Sequence, residues 1–240
     1  MICFAAIAPH GDLDSAPELR TAMEELARRF DAAAPAAAIV VTPHNVHVEG
    51  HFAVVTAARV GEWETDRALA EAVLDAFHAE GLPAVGVSYG GNDPAEAQLP
   101  VDWGTEVPLA CLPKRPIVVV CPARDRPLAE HVRAGAALAR ASGEACVALV
   151  ASADHAHAHD ASGPYGFDPA AAEYDALVQE ILRSGRLEFE PLAGLVAAAK
   201  ADSLWQLLVL QGAVGDAPRV ELLAYAAPEY YGMLVAAVVA

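Results

Sequence analysis

Three clusters of histidine mark where chemistry can occur in this chain. His10 follows an apolar run at residues 3–8. His44, His47 and His51 follow a second run at 38–42, and His155, His157 and His159 follow a third at 147–151. Imidazole is neutral or charged near pH 7 and ligates divalent metals, so such residues serve as metal ligands or as proton acceptors. A lone histidine at a strand end is ordinarily a hydrogen-bonded residue of no special role. Three clusters at equivalent places point instead to one shared site, because α/β sheets gather their sites at the carboxyl ends of strands. In His155, His157 and His159 the alternation puts all three on one face of extended chain, which suits a metal and equally suits an exposed polar edge.

Nucleotide readings find no support. There is no G-x-G-x-x-G after the first apolar run and no G-x-x-x-x-G-K-[ST] to cradle phosphates.

The elements that must position these residues alternate between strand-like and helix-like patterns, as in a sheet covered by helices. Strands are expected at residues 3–8, 38–42, 52–59, 117–121, 147–151, 220–225 and 234–239. A helix over 16–30 is expected from Leu19, Met23, Leu26 and Phe30, with Ser15 and Glu18 as a capping box and Pro17 in the first turn. Further helices are expected at 66–77, 128–140, around Tyr174 to Ile181, and at 204–210. Residues 90–116, rich in Gly, Pro and Asp, read as a long ordered excursion that carries function.

A chain of 240 residues fits one large core better than two thin ones. Fifteen Lys and Arg against 32 Asp and Glu leave a formal charge of -17, which repels phosphate backbones and anionic membranes. Nucleic acid and membrane partners are therefore not expected. The apolar opening meets Pro9-His10-Gly11-Asp12 without a basic leader, so it reads as a buried strand and not a signal peptide. Cys3, Cys111, Cys121 and Cys146 form no C-x-x-C pair and are expected as reduced core thiols of a cytoplasmic protein.

Five short pieces recur in a telling order: Ala8-Pro9-His10, Val41-Thr42-Pro43-His44-Asn45, the stretch from Val101 to Leu109, Ser152-Ala153-Asp154-His155-Ala156-His157, and Leu210-Gln211-Gly212-Ala213-Val214. In order and spacing they resemble the class III extradiol ring-cleavage dioxygenases, a LigB-like superfamily that includes the Memo-like proteins. The resemblance covers nearly the whole chain. It implies one α/β domain over 1–240, with a central mixed β-sheet and helices on both faces in a LigB/phosphorylase-like three-layer arrangement. It further implies a homo-oligomer.

By the same resemblance, His10 and His44 would hold Fe(II), with Zn(II) or Mn(II) as alternatives, at roughly 2.0 to 2.3 Å. The family's carboxylate lies shortly before the late helix, which points to Asp202 in Lys200-Ala201-Asp202-Ser203; Glu229 is the reserve. His157 aligns with the family's catalytic base, His155 would orient it or reach the metal, and Asp102, Trp103 and His159 would line the substrate pocket. The implied reaction is extradiol cleavage of a catechol-like or aminophenol-like aromatic by O2. A second family histidine falls at Trp103, and indole cannot exchange protons as imidazole does. That departure keeps two alternatives open: a Memo-like protein that binds metal or peptide without turnover, and a zinc hydrolase on the same fold.

Overall fold

Runs of Val, Ile, Leu and Ala without polar alternation are strands covered on both faces. In the computed structural model, which describes residues 1–215 and 218–239, these runs build the middle of one eight-stranded sheet. In chain order the strands are β1 (Ile2–Ala8), β2 (Ala37–Val41), β3 (Phe52–Val55), β4 (Arg59–Val60), β5 (Trp63–Glu64), β6 (Ala84–Val87), β7 (Gln98–Leu99), β8 (Ile117–Cys121), β9 (Val147–Ser152), β10 (Arg219–Ala226) and β11 (Met233–Val239). The large sheet runs β10-β11-β1-β9-β2-β8-β3-β6, and β4, β5 and β7 form a small second sheet. β1, β9, β2 and β8 are mutually parallel neighbours, while β11 and β3 run antiparallel on either side. Four adjacent strands thus deliver their carboxyl ends to one edge of the sheet.

The helices are α1 (Pro17–Ala33), α2 (Arg67–Ala79), α3 (Trp103–Ala110), α4 (Leu128–Ala141), α5 (Ala170–Ser184), α6 (Val196–Ala199) and α7 (Leu204–Val214). Alternate residues of each strand face two separate cores. Ile39, Val41, Val118, Val120 and Leu149 meet α2, α4, α5 and α7, whereas Val40, Val119 and Val150 meet α1, α3 and the small sheet. The expected mixed sheet with helices on both faces is the observed three-layer fold. α4 and α7 cross at backbone contact. A Cβ on Gly135 would lie 1.9 Å from the Val209 carbonyl oxygen, and one on Gly212 would lie 1.8 Å from that of Val132, so only glycine fits either position.

Several expectations are corrected. Ser15 does not cap α1: it closes a short 3-10 turn over Leu13–Ser15, its hydroxyl donating to the Asp12 carbonyl, and Ala16 occupies the cap position without a side-chain bond. The strand expected over 52–59 breaks at Thr56, and its last part joins the small sheet. β6 escaped notice because Gly86 interrupts its pattern. The excursion over 90–116 is ordered and includes β7 and α3.

The cysteines also differ from expectation. Cys3 and Cys146 form a disulfide with Cα atoms 5.2 Å apart, while Cys111 and Cys121 are free. Cys3 sits where the β1–β9 register slips between Ile2 and Phe4. That slip puts Ile2 in the same core as Ala5 and Ile7 and leaves Cys3 beside the residue preceding β9. Disulfides belong to oxidising compartments, so the cysteines no longer argue for a cytoplasmic protein. Among the described residues no helix is long and apolar enough to cross a membrane.

The bridge joins residues 143 apart in sequence, so it constrains most of the unfolded chain. Cys3→Ser with Cys146→Ser is expected to lower stability by about 2 to 4 kcal/mol. Urea unfolding of parent and double variant, each with and without reductant, checks this; equal midpoints in all four samples would contradict it.

Candidate metal site and cavity

The carboxyl ends of the four parallel strands supply most of the candidate site. His10 lies two residues beyond β1, His44 three beyond β2, Arg124 three beyond β8, and Asp154 and His157 follow β9. Asp202 comes from the short connection between α6 and α7. The Nε2 atoms of His10 and His44 are 3.3 Å apart, and Asp202 Oδ2 lies 4.0 Å and 3.9 Å from them. These are the three residues among those described whose ligating atoms converge as a group able to hold a metal ion. Glu229 is exposed in the β10–β11 turn and is not among them.

Each member is held by its surroundings. The His10 backbone N–H donates to Asp154 Oδ1 at 3.0 Å, and its Nδ1 lies 3.0 Å from Ser152 Oγ. The His44 N–H donates to Thr42 Oγ1. Asp102 ties that turn to α3: its carboxylate accepts from Thr42 Oγ1, Asn45 Nδ2, and both the N–H and hydroxyl of Thr105, so it is the N-cap of α3. Its expected place in the pocket is therefore corrected to a tether behind the wall.

Electrostatics suit a cation. Burial pulls the His10 imidazole down to about 3, helped by His157, and that of His44 down to about 4, helped by His10. Both rings are neutral at pH 7, as ligands must be. Burial pushes the Asp202 carboxyl up to about 8, with Asp154 adding to the effect and Arg124 opposing it. Burial likewise raises Asp154. Asp202 Oδ1 is buried with no hydrogen-bond partner. Two neutral imidazoles beside desolvated carboxylates make a cavity wall that a divalent ion would relieve, so the residues present fit a metal. Donors at roughly 2.0 to 2.3 Å from one ion stand roughly 3 to 3.5 Å apart; the imidazole pair already meets this, and Asp202 needs only a small side-chain adjustment.

The three donors open onto a cavity of about 540 Å³. His157, Trp103, Tyr165, Tyr230 and Tyr231 supply its aromatic lining, and Arg124 and Lys200 its positive charge. The His157 ring is stacked on Tyr231 with centroids 5.8 Å apart, and Trp103 lies 4.3 Å from the His44 ring. Arg124 places its guanidinium 4.8 Å over Trp205 and 4.0 Å from Asp202. His157 Nδ1 is 3.0 Å from the His155 carbonyl oxygen, so Nδ1 carries the proton and Nε2 is the basic nitrogen. Burial lowers its pKa, while Asp154 and the His155 and Lys200 carbonyls oppose that fall.

The other expected residues go elsewhere. His155 is wholly buried and bonded through Nδ1 to Ser203 Oγ at 2.9 Å, and it does not line the cavity. His159 turns away to Asp175, its Nε2 donating at 2.8 Å. Asp175 is buried and also accepts from the Ala156 N–H and Tyr225 hydroxyl, so it anchors the loop that carries His157. His47 and His51 stay outside the cavity. Sequence reasoning missed Arg124, Lys200 and the tyrosines. Arg124 carries the same signal as the histidines, a functional side chain three residues past a buried strand.

Two imidazoles and a carboxylate at the carboxyl edge of a parallel sheet define an α/β protein with the donor types of a 2-His-1-carboxylate centre. Residues 10–239 match the family described as the catalytic LigB subunit of aromatic ring-opening dioxygenase, and the chain belongs to that family. Among solved structures, the uncharacterized protein JW3007 from Escherichia coli K12 is similar, with a TM-score of 0.66 and 17% identity over 98% of this chain and 99% of that one. At that identity the likeness speaks for the fold alone. No curated protein matches the chain.

Proposed function

We propose that this protein is a non-haem Fe(II)-dependent enzyme that opens a catechol-like or aminophenol-like ring with O2 by extradiol cleavage. The observation that carries the reading is the convergence of His10, His44 and Asp202 on a cavity walled by aromatic rings and containing a neutral histidine that is not part of the trio. Family membership supports the reaction class. Iron held there would supply open positions for the substrate and O2 and the redox chemistry of ring opening.

The chain's own residues do the rest. Trp103 and the tyrosines offer faces to an aromatic ring and keep water from one side of it. His157, neutral at pH 7, accepts at Nε2 the proton that the substrate hydroxyl releases. Trp103 cannot exchange protons, so proton handling falls on His157.

Trp103 also favours a second reading, in which the cleft binds a metal or a peptide without oxygenase turnover. Protein reconstituted anaerobically with Fe(II), then given air and a panel of catechols and aminophenols, should consume O2 and yield ring-opened products absorbing in the visible. Retained iron with no O2 uptake on any member would favour the binding protein. Selective zinc retention with ester or amide hydrolysis would favour a hydrolase.

A further inference from the structure

A proline in α3 determines which nitrogen of His10 faces the site. Pro108 lies inside the helix and has no N–H. The carbonyl four residues earlier, that of Gly104, therefore lacks its helical donor. Ser152 Oγ fills the gap at 2.5 Å from the Gly104 oxygen. Two acceptors do not approach so closely, so the single hydroxyl hydrogen of Ser152 lies on that bond. The same Oγ is 3.0 Å from His10 Nδ1. With its hydrogen committed to Gly104, Ser152 can only accept from His10, and Nδ1 must be the protonated nitrogen. Nε2 is left with a bare lone pair, 3.3 Å from His44 Nε2 and 4.0 Å from Asp202 Oδ2.

We infer that Ser152 is a positioning residue of the metal site, holding His10 as the Nδ1–H tautomer through a relay that runs from the Gly104 carbonyl to the Ser152 hydroxyl to His10. The inference rests on the metal-site reading above and adds to it a residue that touches neither metal nor substrate. The setting is built for the role. Ser152 is completely buried at the end of β9, and its own carbonyl accepts from Gln206 Nε2 at 3.2 Å. Gly104 is packed so closely that a Cβ there would meet Thr42 Oγ1 at 2.4 Å and His44 Cδ2 at 3.0 Å. α3 thus presses against the turn that carries His44, and Ser152 links it to His10. Such outer partners of metal-bound histidine fix its tautomer and ring orientation, and their loss typically weakens binding by roughly 10- to 100-fold.

The test compares Ser152→Ala and Ser152→Thr with the parent. Zn(II) affinity is measured by competition with a chromophoric chelator, and the His10 tautomer by ¹⁵N-resolved NMR of the metal-free protein, assigned with His10→Gln. The parent should show Nδ1–H. Ser152→Ala should bind Zn(II) roughly 10- to 100-fold more weakly, with His10 shifted toward Nε2–H or a mixture. Ser152→Thr, which keeps the hydroxyl, should recover both signals. Undiminished affinity in Ser152→Ala with an unchanged tautomer overturns the proposal while leaving the metal reading intact. A parent that binds neither Zn(II) nor Fe(II) overturns the metal reading and Ser152's role with it.

Discussion

Asp202→Ala protein is expected to emerge from anaerobic Fe(II) reconstitution and desalting with little or no iron, while Glu229→Ala protein retains as much as the parent. The expected loss of affinity exceeds the roughly 10- to 100-fold that follows removal of an outer partner, because a direct donor is removed. Asp202 Oδ2 lies 4.0 Å and 3.9 Å from the two imidazole nitrogens, whereas Glu229 stands exposed in a turn. Unfolding does not offer an alternative explanation. Asp202 is part-buried, its Oδ1 is fully enclosed without a partner, and this burial pushes its carboxyl up to about 8. A buried group in that state costs stability in the metal-free protein. The metal-free alanine variant should therefore unfold at a urea midpoint equal to or above the parent's. Metal content by mass spectrometry and urea midpoints together decide the matter. Iron retained in Asp202→Ala and lost in Glu229→Ala would show that the carboxylate had been assigned to the wrong residue.

The same residues show how far the sequence could be read. Strands such as β2, β8 and β9 are legible because both of their faces are buried and the runs are uninterrupted aliphatics. The places after them were legible for the same reason, and His10, His44 and Asp202 do come together. What was hidden depends on direction and on distant partners. Alternation puts His155, His157 and His159 on one face only if the chain is an extended strand. Here the segment is irregular, its N–H groups donating to three different partners, the carbonyls of Gly232, Ala199 and Tyr230. The three rings accordingly go to Ser203, the cavity and Asp175. The resemblance places Asp102 in the substrate pocket, but a helix start demands an acceptor and four donors claim its oxygens. The Cys3–Cys146 pair depends on the register of two strands distant in sequence, which no local pattern reveals.

His157→Ala should keep its iron and lose its chemistry. The ring lies on the cavity wall but is outside the converging trio, so its removal leaves three donors in place. Its Nδ1–H is tied to the His155 carbonyl, its N–H to Ala199, and its face to Tyr231, so one basic nitrogen is left to take a proton. Loss of a general base costs a factor on the order of 10² to 10⁴ in rate. Repacking alone would be felt in stability more than in turnover. His155→Ala and His159→Ala separate these causes. His155 is buried against Ser203 and His159 is paired with Asp175, so each variant should lose stability through its broken bond and change turnover only through movement of the loop. Iron content, urea midpoint and initial O2 uptake on a verified substrate should thus give one variant with full iron and a rate lowered by at least about 10², and two with larger stability losses and smaller rate losses. A parent-like rate in His157→Ala would place the base elsewhere. Loss of iron in that variant would make His157 a ligand, and the trio of His10, His44 and Asp202 would then be incomplete.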